Sequence, residues 1–266
     1  MTFFDILKAE YTLVYSELFR RRSALIAMVA YPYLFAGFTL FFGYSMGSPD
    51  AFLERLKVDP IVYLITASYM LMALIVTVDD LFWRPLSDLM IGTLPYIIAS
   101  PVNKLLLYFI IPLPRATCLL LMGFTCLIPV YLLNYGVEGI FISMLIIGLV
   151  ALGCILMTPL AVIIASTVHN ISESWRALDV IRPFIMILLG VYYPRLYMPL
   201  IGYFLSYLIP PSHVVEAVQI LLSGVSSGVY NLVVLAITVT LLYVPVSQYS
   251  LRKWELRRVR EGVKTS

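Results

Sequence analysis

The chain has 266 residues, 61% of them apolar and 12% charged, with a net charge of +3 and a mean hydropathy of +0.95. Soluble domains carry about 25% charged residues, so this composition excludes water as the only solvent and points to helices that cross a bilayer. Cys118, Cys126 and Cys154 lie inside apolar runs with no C-x-x-C, which suggests neither a disulfide framework nor a zinc site. The basic residues gather at the ends of apolar runs, not on a face interleaved with aromatics, which argues against nucleic acid as a partner.

Residues 1–22 carry charge throughout and lack the continuous apolar run of a cleavable leader. Phe4, Leu7, Tyr11, Val14 and Leu18 recur at helical spacing, with Asp5, Lys8, Thr12 and Ser16 off that face. The pattern predicts an amphipathic helix lying in the plane of the membrane interface and ending at Arg20-Arg21-Arg22. Residues 23–44 then run without a charge and read as the first span. A polar stretch, 47–60, leads to a second span over 61–78, closed by Asp79-Asp80.

Residues 81–115 form a mixed segment holding Trp83, Arg84, Asp88, Gly92 and Lys104, with apolar pieces too short and too broken by Pro85, Pro95 and Pro101 to cross. A third span follows over 116–133, a turn at 134–138, and a long fourth span over 140–167. The next segment, 168–182, reads as a polar loop with His169, Glu173, Arg176 and Asp179. Residues 183–193 and 196–209 are apolar but short, and Pro210-Pro211 separates them from another short helix over 213–223. They read as a short fifth span plus re-entrant or interfacial helices within 192–224. The last full span covers 229–251, and 252–266 is a basic tail.

The expected fold is therefore all-α and polytopic: six transmembrane helices in a single domain over 23–251, an N-terminal interfacial helix, and short re-entrant helices on the outer side before the last span. With both termini in the cytoplasm, all but Arg55, Lys57 and Arg195 of the 18 Lys and Arg residues fall inside, as the positive-inside rule asks.

Chemistry is sparse. The cores of the full spans are nearly free of ionisable groups, which weighs against a proton or sodium relay. Asp79-Asp80 lacks the further carboxylates that a magnesium site would need, and reads as a pair of solvated interface carboxylates. His169 and His213 fall on opposite sides of the membrane in this topology. Neither G-x-S-x-G nor H-E-x-x-H occurs. Nor does G-x-x-x-x-G-K-[ST], so ATP would have to be used by a separate chain. The tyrosines at 192, 193, 197, 203 and 207 suit interface anchoring, with a ring-lined substrate path as the functional reading. The segment 81–115 either lies on the membrane surface or places a short helix in a partner's groove.

Several stretches in order resemble the permease subunits of ABC-2 type exporters. They are Glu17-Leu18-Phe19-Arg20-Arg21-Arg22 before a span containing Pro32, then Gly92-Thr93-Leu94, then Ser100-Pro101-Val102, and late in the chain Pro211-Ser212-His213-Val214-Val215-Glu216-Ala217. Met90-Ile91 stand where that family usually has charges, and Gln219 where a basic residue is common. The resemblance implies a non-catalytic subunit in the plasma membrane, paired with a second permease subunit (a like or unlike copy) and with ABC ATPase subunits that hold ATP and Mg; this chain itself would carry no cofactor. Arg84, Leu86, Asp88, Leu89, Gly92, Thr93, Leu94 and Pro101 would couple to the ATPase, and Tyr193, Tyr197, Pro211 and Glu216 would form an outer gate. The alternatives from other classes are a stand-alone channel or secondary carrier, and a membrane scaffold without a transported substrate.

Overall fold

A computed structural model describes residues 3–23, 26, 30, 33–35, 37, 38, 40, 41, 58–169, 174–192, 194–224 and 228–261. Helices are the regular structure among the described residues, and no strand occurs there. Most of the expected first span, the polar stretch after it, and Tyr193 lie outside the described residues.

The first helix, α1 (Phe3–Arg20), has Asp5 in its first turn and Arg20 in its last, both favourable to the helix dipole. Its buried stripe is Ile6, Glu10 and Val14. Leu7, Tyr11 and Leu18 are half-buried beside it, while Phe4 and Phe19 are exposed, as suits a helix resting on lipid.

Helix α2 (Pro60–Ile91) begins where Asp59 Oδ1 accepts from the amides of Ile61 (2.8 Å) and Val62 (3.2 Å), with Pro60 at the first helical position. It does not stop at Asp79-Asp80 but runs on to Ile91, where Gly92 takes a left-handed conformation at φ 82°. Charge alone does not end a helix; the loss of helical backbone geometry at a glycine does. At ~1.5 Å per residue, α2 is about 48 Å long, well beyond the ~30 Å of a hydrocarbon core. Its last turns therefore make a rigid extension where the sequence predicts broken loop.

Two short helices follow, α3 (Leu94–Ala99) and α4 (Lys104–Ile110), the second capped by Asn103. Helix α5 (Leu113–Tyr135) continues from α4, so that Lys104–Tyr135 is long and apolar enough to cross. After Gly136 comes α6 (Val137–Val168). Helix α7 (Ser174–Leu189) starts within the expected polar loop and passes through Pro183, where the sequence predicts a boundary. Leu178 in its first half is buried at 1% exposure, so this polar stretch folds as one face of a packed helix. A 3₁₀ turn (Arg195–Tyr197), α8 (Leu200–Tyr207) and α9 (Pro210–Leu222) come next. Helix α10 (Val229–Glu261) extends through most of the basic tail, with Leu251 and Trp254 buried.

Among the described residues, four helices are long and apolar enough to cross: Pro60–Ile91, Lys104–Tyr135, Val137–Val168 and Val229–Arg260. Helices α8 and α9 are bent 106° to each other, a broken span or a re-entrant hairpin. In its most apolar window α2 is 67% buried and α10 only 11%, so α2 is the central helix and α10 a peripheral one. Tyr69, Leu74 and Phe82 of α2 pack with Leu127 and Tyr131 of α5, Ile146 and Met157 of α6, and Val215 and Val218 of α9. Close approach depends on Gly123: a Cβ there would lie 2.5 Å from the Tyr69 hydroxyl oxygen.

Near two of the prolines inside helices, the carbonyl three residues ahead accepts a hydrogen bond from a neighbouring segment. Pro85 has no N–H for the preceding turn, and the adjacent Phe82 carbonyl accepts from His169 Nε2 at 3.0 Å. Pro159 of α6 repeats the arrangement, with Thr240 of α10 donating to the Leu156 carbonyl at 3.3 Å.

Candidate functional site

The extension of α2 beyond Asp79 carries a cluster of charges that ties the helices together at one end of the bundle. Arg84 is its hub. Its Nη1 and Nη2 donate to Glu10 Oε2 (2.8 Å) and Oε1 (2.9 Å), a bidentate pair that holds α1 against α2. Its Nε donates to Asp88 Oδ2 (2.9 Å) one turn on. Asp88 then closes the helix end: its backbone carbonyl accepts from the Thr93 amide (2.8 Å) and its Oδ1 from the Thr93 hydroxyl (3.0 Å). Gly92 and Thr93 thus form a stop that fixes the direction in which α3 leaves α2.

Neighbouring pairs extend the cluster. Arg115 of α5 donates to Asp80, and Arg182 Nε of α7 donates to Asp79 Oδ1 at 2.8 Å. The two carboxylates are therefore not a solvated pair: Asp80 is 8% exposed, and each is bound to an arginine from another helix. Taking two carboxylates out of water requires such partners, and arginines 35 and 103 residues away supply them. Tyr15 of α1 shares a hydrogen bond with Thr117 of α5 (3.2 Å). Lys104 bonds the Ser100 and Val102 carbonyls and sits 3.9 Å from Glu255 of α10.

His169, just past the last turn of α6, is 4% exposed. Its Nε2 must carry the proton donated to Phe82, and its own carbonyl accepts from Arg258 Nη2 at 2.8 Å. Burial pushes this imidazole down to about 4, against the opposing effect of the bond to Phe82.

Between α1 and the α2 extension lies a cleft of 560 Å³. Arg20, Arg21, Arg84 and Arg115 line it with Glu17, Asp80 and Asp88, and Trp83 and Ile91 contribute apolar surface. Arg84 and Arg115 are committed to buried carboxylates, whereas the Arg21–Glu17 pair is long and exposed at 3.6 Å. Among the described residues, no group of three or more His, Cys, Asp or Glu side chains is placed to hold a metal ion. The arrangement offers charge-assisted contacts and exposed apolar side chains to a partner.

The residues singled out for coupling divide sharply. Arg84 and Asp88 are internal ties, Leu94 is buried, and Leu86 and Leu89 pack against the core. Gly92 and Pro101 are exposed and Thr93 is half-buried. The apolar groups that reach outward are Met90 (88% exposed), Tyr96 (78%) and Ile91 (71%), none of them in the set chosen from sequence. Their signal was present in Met90-Ile91 standing beside Gly92, where charges are more usual at a helix end exposed to water.

Of the residues expected at an outer gate, Tyr193 lies outside the described residues and Tyr197 is 52% exposed in the 3₁₀ turn. Pro211 is buried in the first turn of α9, and Glu216 accepts from Arg195 Nη1 at 2.8 Å. Arg195 was missed as a site residue. Ser212, His213 and Glu216, the polar members of the late stretch from Pro211 to Ala217, all bond to it. Comparison of the chain with family models, curated proteins and solved structures gives no match.

Proposed function

We propose that this chain is the membrane permease subunit of an ATP-driven exporter of the ABC-2 type. The observation that carries this reading is the exposed Tyr96 of helix α3 and the flanking Met90 and Ile91, set on the end of the central helix α2. A push on α3 passes through the Asp88–Thr93 stop into α2 and through the Arg84–Glu10 pair into α1. Such a handle suits a chain with charge-poor spans and no P-loop of its own, whose energy must arrive from outside. In this reading six spans lie in the plasma membrane with both termini cytoplasmic. Two permease subunits, of like or unlike sequence, face each other, and ABC ATPase subunits bind ATP and Mg below them. The cleft between α1 and α2 then receives part of the ATPase.

The test uses the full chain in nanodiscs. The expected result is a stable complex with an ABC ATPase that hydrolyses ATP and pumps only when both are present. Ile91→Glu with Tyr96→Glu is expected to weaken that association on the order of tenfold, the loss of two exposed apolar anchors, with folding intact. Solute flux through liposomes holding this chain alone would overturn the proposal in favour of a channel or carrier.

A further inference from the structure

Arg195 is 3% exposed and joins four pieces of structure. From the 3₁₀ turn, its Nη1 donates to Glu216 Oε2 (2.8 Å) and His213 Nδ1 (3.1 Å), and its Nη2 donates to Ser212 Oγ (2.8 Å). Its Cζ lies 4.3 Å from the centroid of the Tyr207 ring, at the end of α8. Ser212 Oγ in turn lies 3.3 Å from the carbonyls of Leu188 and Leu189, which end α7. One guanidinium thus clasps the 3₁₀ turn, the end of α8 and the start of α9, and Ser212 adds α7.

The protonation state of His213 is dictated by its neighbours. Nε2 is 3.1 Å from the Tyr207 carbonyl, which can only accept, so Nε2 carries the hydrogen. Nδ1 then presents a lone pair, and Arg195 donates into it. An imidazolium has no lone pair. Adding a proton at Nδ1 would set N–H against N–H at this distance and place two cations in contact.

Among the described residues, Glu216, 30% exposed at its side chain, is the carboxylate bonded to the group. Tyr207 and Tyr203 of α8 face it, sharing a hydrogen bond of 3.0 Å. Toward α6 and α10 the neighbouring Val214 meets Leu156 and Ala236, and Tyr243 of α10 bonds the Leu208 carbonyl. Toward α2, the polar group on α9 is Gln219, already bonded to Tyr63. None of these is a second anion that would balance an imidazolium.

We propose that His213 is an acid-operated release for this clasp: protonation at Nδ1 drives Arg195 out of the joint and frees the α8–α9 pair. The inference rests on the geometry of the cluster and is independent of any transport role.

Hydrogen–deuterium exchange of residues 200–222 tests it, with the full chain in nanodiscs at about pH 7.5 and about pH 5, the range in which histidine changes charge. Rates are corrected for the intrinsic pH dependence of exchange with an unstructured peptide. The expected result is a gain in corrected exchange on the order of tenfold at the lower pH. His213→Gln is the deciding variant, because its amide can both accept from Arg195 and donate to Tyr207 without titrating. It is expected to keep the segment protected at both pH values. Equal corrected protection in the wild type at both pH values, or an undiminished acid response in His213→Gln, would overturn the proposal.

Discussion

Arg84 and His169 work at the same end of the bundle by opposite electrostatic means. The guanidinium stays charged and spends its donors on Glu10 and Asp88, so α1 and the end of α2 behave as one piece. The imidazole is kept neutral by burial and serves as a hydrogen-bond donor near Pro85. A histidine whose folded-state pKa lies below its unfolded value stabilises the fold fully above the unfolded value. That stability is lost as pH falls toward the folded value. For His169 the window runs from 6.5 down to about 4, and the loss across it is about 3 kcal/mol. Unfolding in mixed micelles followed between those limits is expected to show this slope, and His169→Gln to flatten it. An identical slope in the variant would assign the pH dependence to other groups.

At the scale of elements, the junction between α2 and α3 is decided by two residues. Gly92 supplies a φ of 82°, which side chains rarely adopt, and nothing lies within 4 Å of where its Cβ would be. A substitution there is therefore opposed by backbone strain and not by crowding. Gly92→Ala is expected to destabilise by about 1 kcal/mol, and Gly92→Asn by less, because asparagine tolerates the left-handed region. The midpoint of denaturant unfolding measures both; a neutral alanine variant would show that the stop is relaxed elsewhere. The α8–α9 elbow has a different origin. Ile209 is extended ahead of Pro210 and Pro211, and proline at the first two positions starts α9 without lost hydrogen bonds.

The whole molecule is organised around α2, with polar ties at one end and apolar packing along the rest. Helix α9 lies beside the other half of α2: Val214 and Leu74 both meet the Gly153 position of α6, and Gln219 reaches Tyr63. Many exposed side chains on α10 are apolar, including Leu241, Leu242 and Tyr249, which suits contact with lipid or another membrane helix. If basic residues set the orientation, Val259 near the end of α10 is on the cytoplasmic side and Val137 at the start of α6 is on the opposite side. Both are well exposed, at 63% and 70%. Single cysteines at these positions are expected to react with an impermeant maleimide from opposite sides of sealed vesicles. Labelling of both from one side would refute the topology.

The amino-acid sequence by itself determined that this chain is a bundle of apolar helices, because an unbroken apolar run of about 20 residues satisfies its own backbone hydrogen bonds in lipid as a helix. It also marked the turn at 134–138 and the Pro210-Pro211 break, since turns and stops act through neighbouring backbone atoms. It misplaced the end of α2 and the start of α7. Those limits depend on whether Asp79, Asp80 and Arg182 find partners, and the pairs join residues 35 to 103 positions apart. Only the tertiary structure decided that Leu86 and Leu94 are internal while Met90 and Tyr96 face out, and that Arg195 is a buried clasp. Periodicity reports that a face is apolar; which neighbour covers it, and which charge a buried ion answers, is fixed by packing between distant segments.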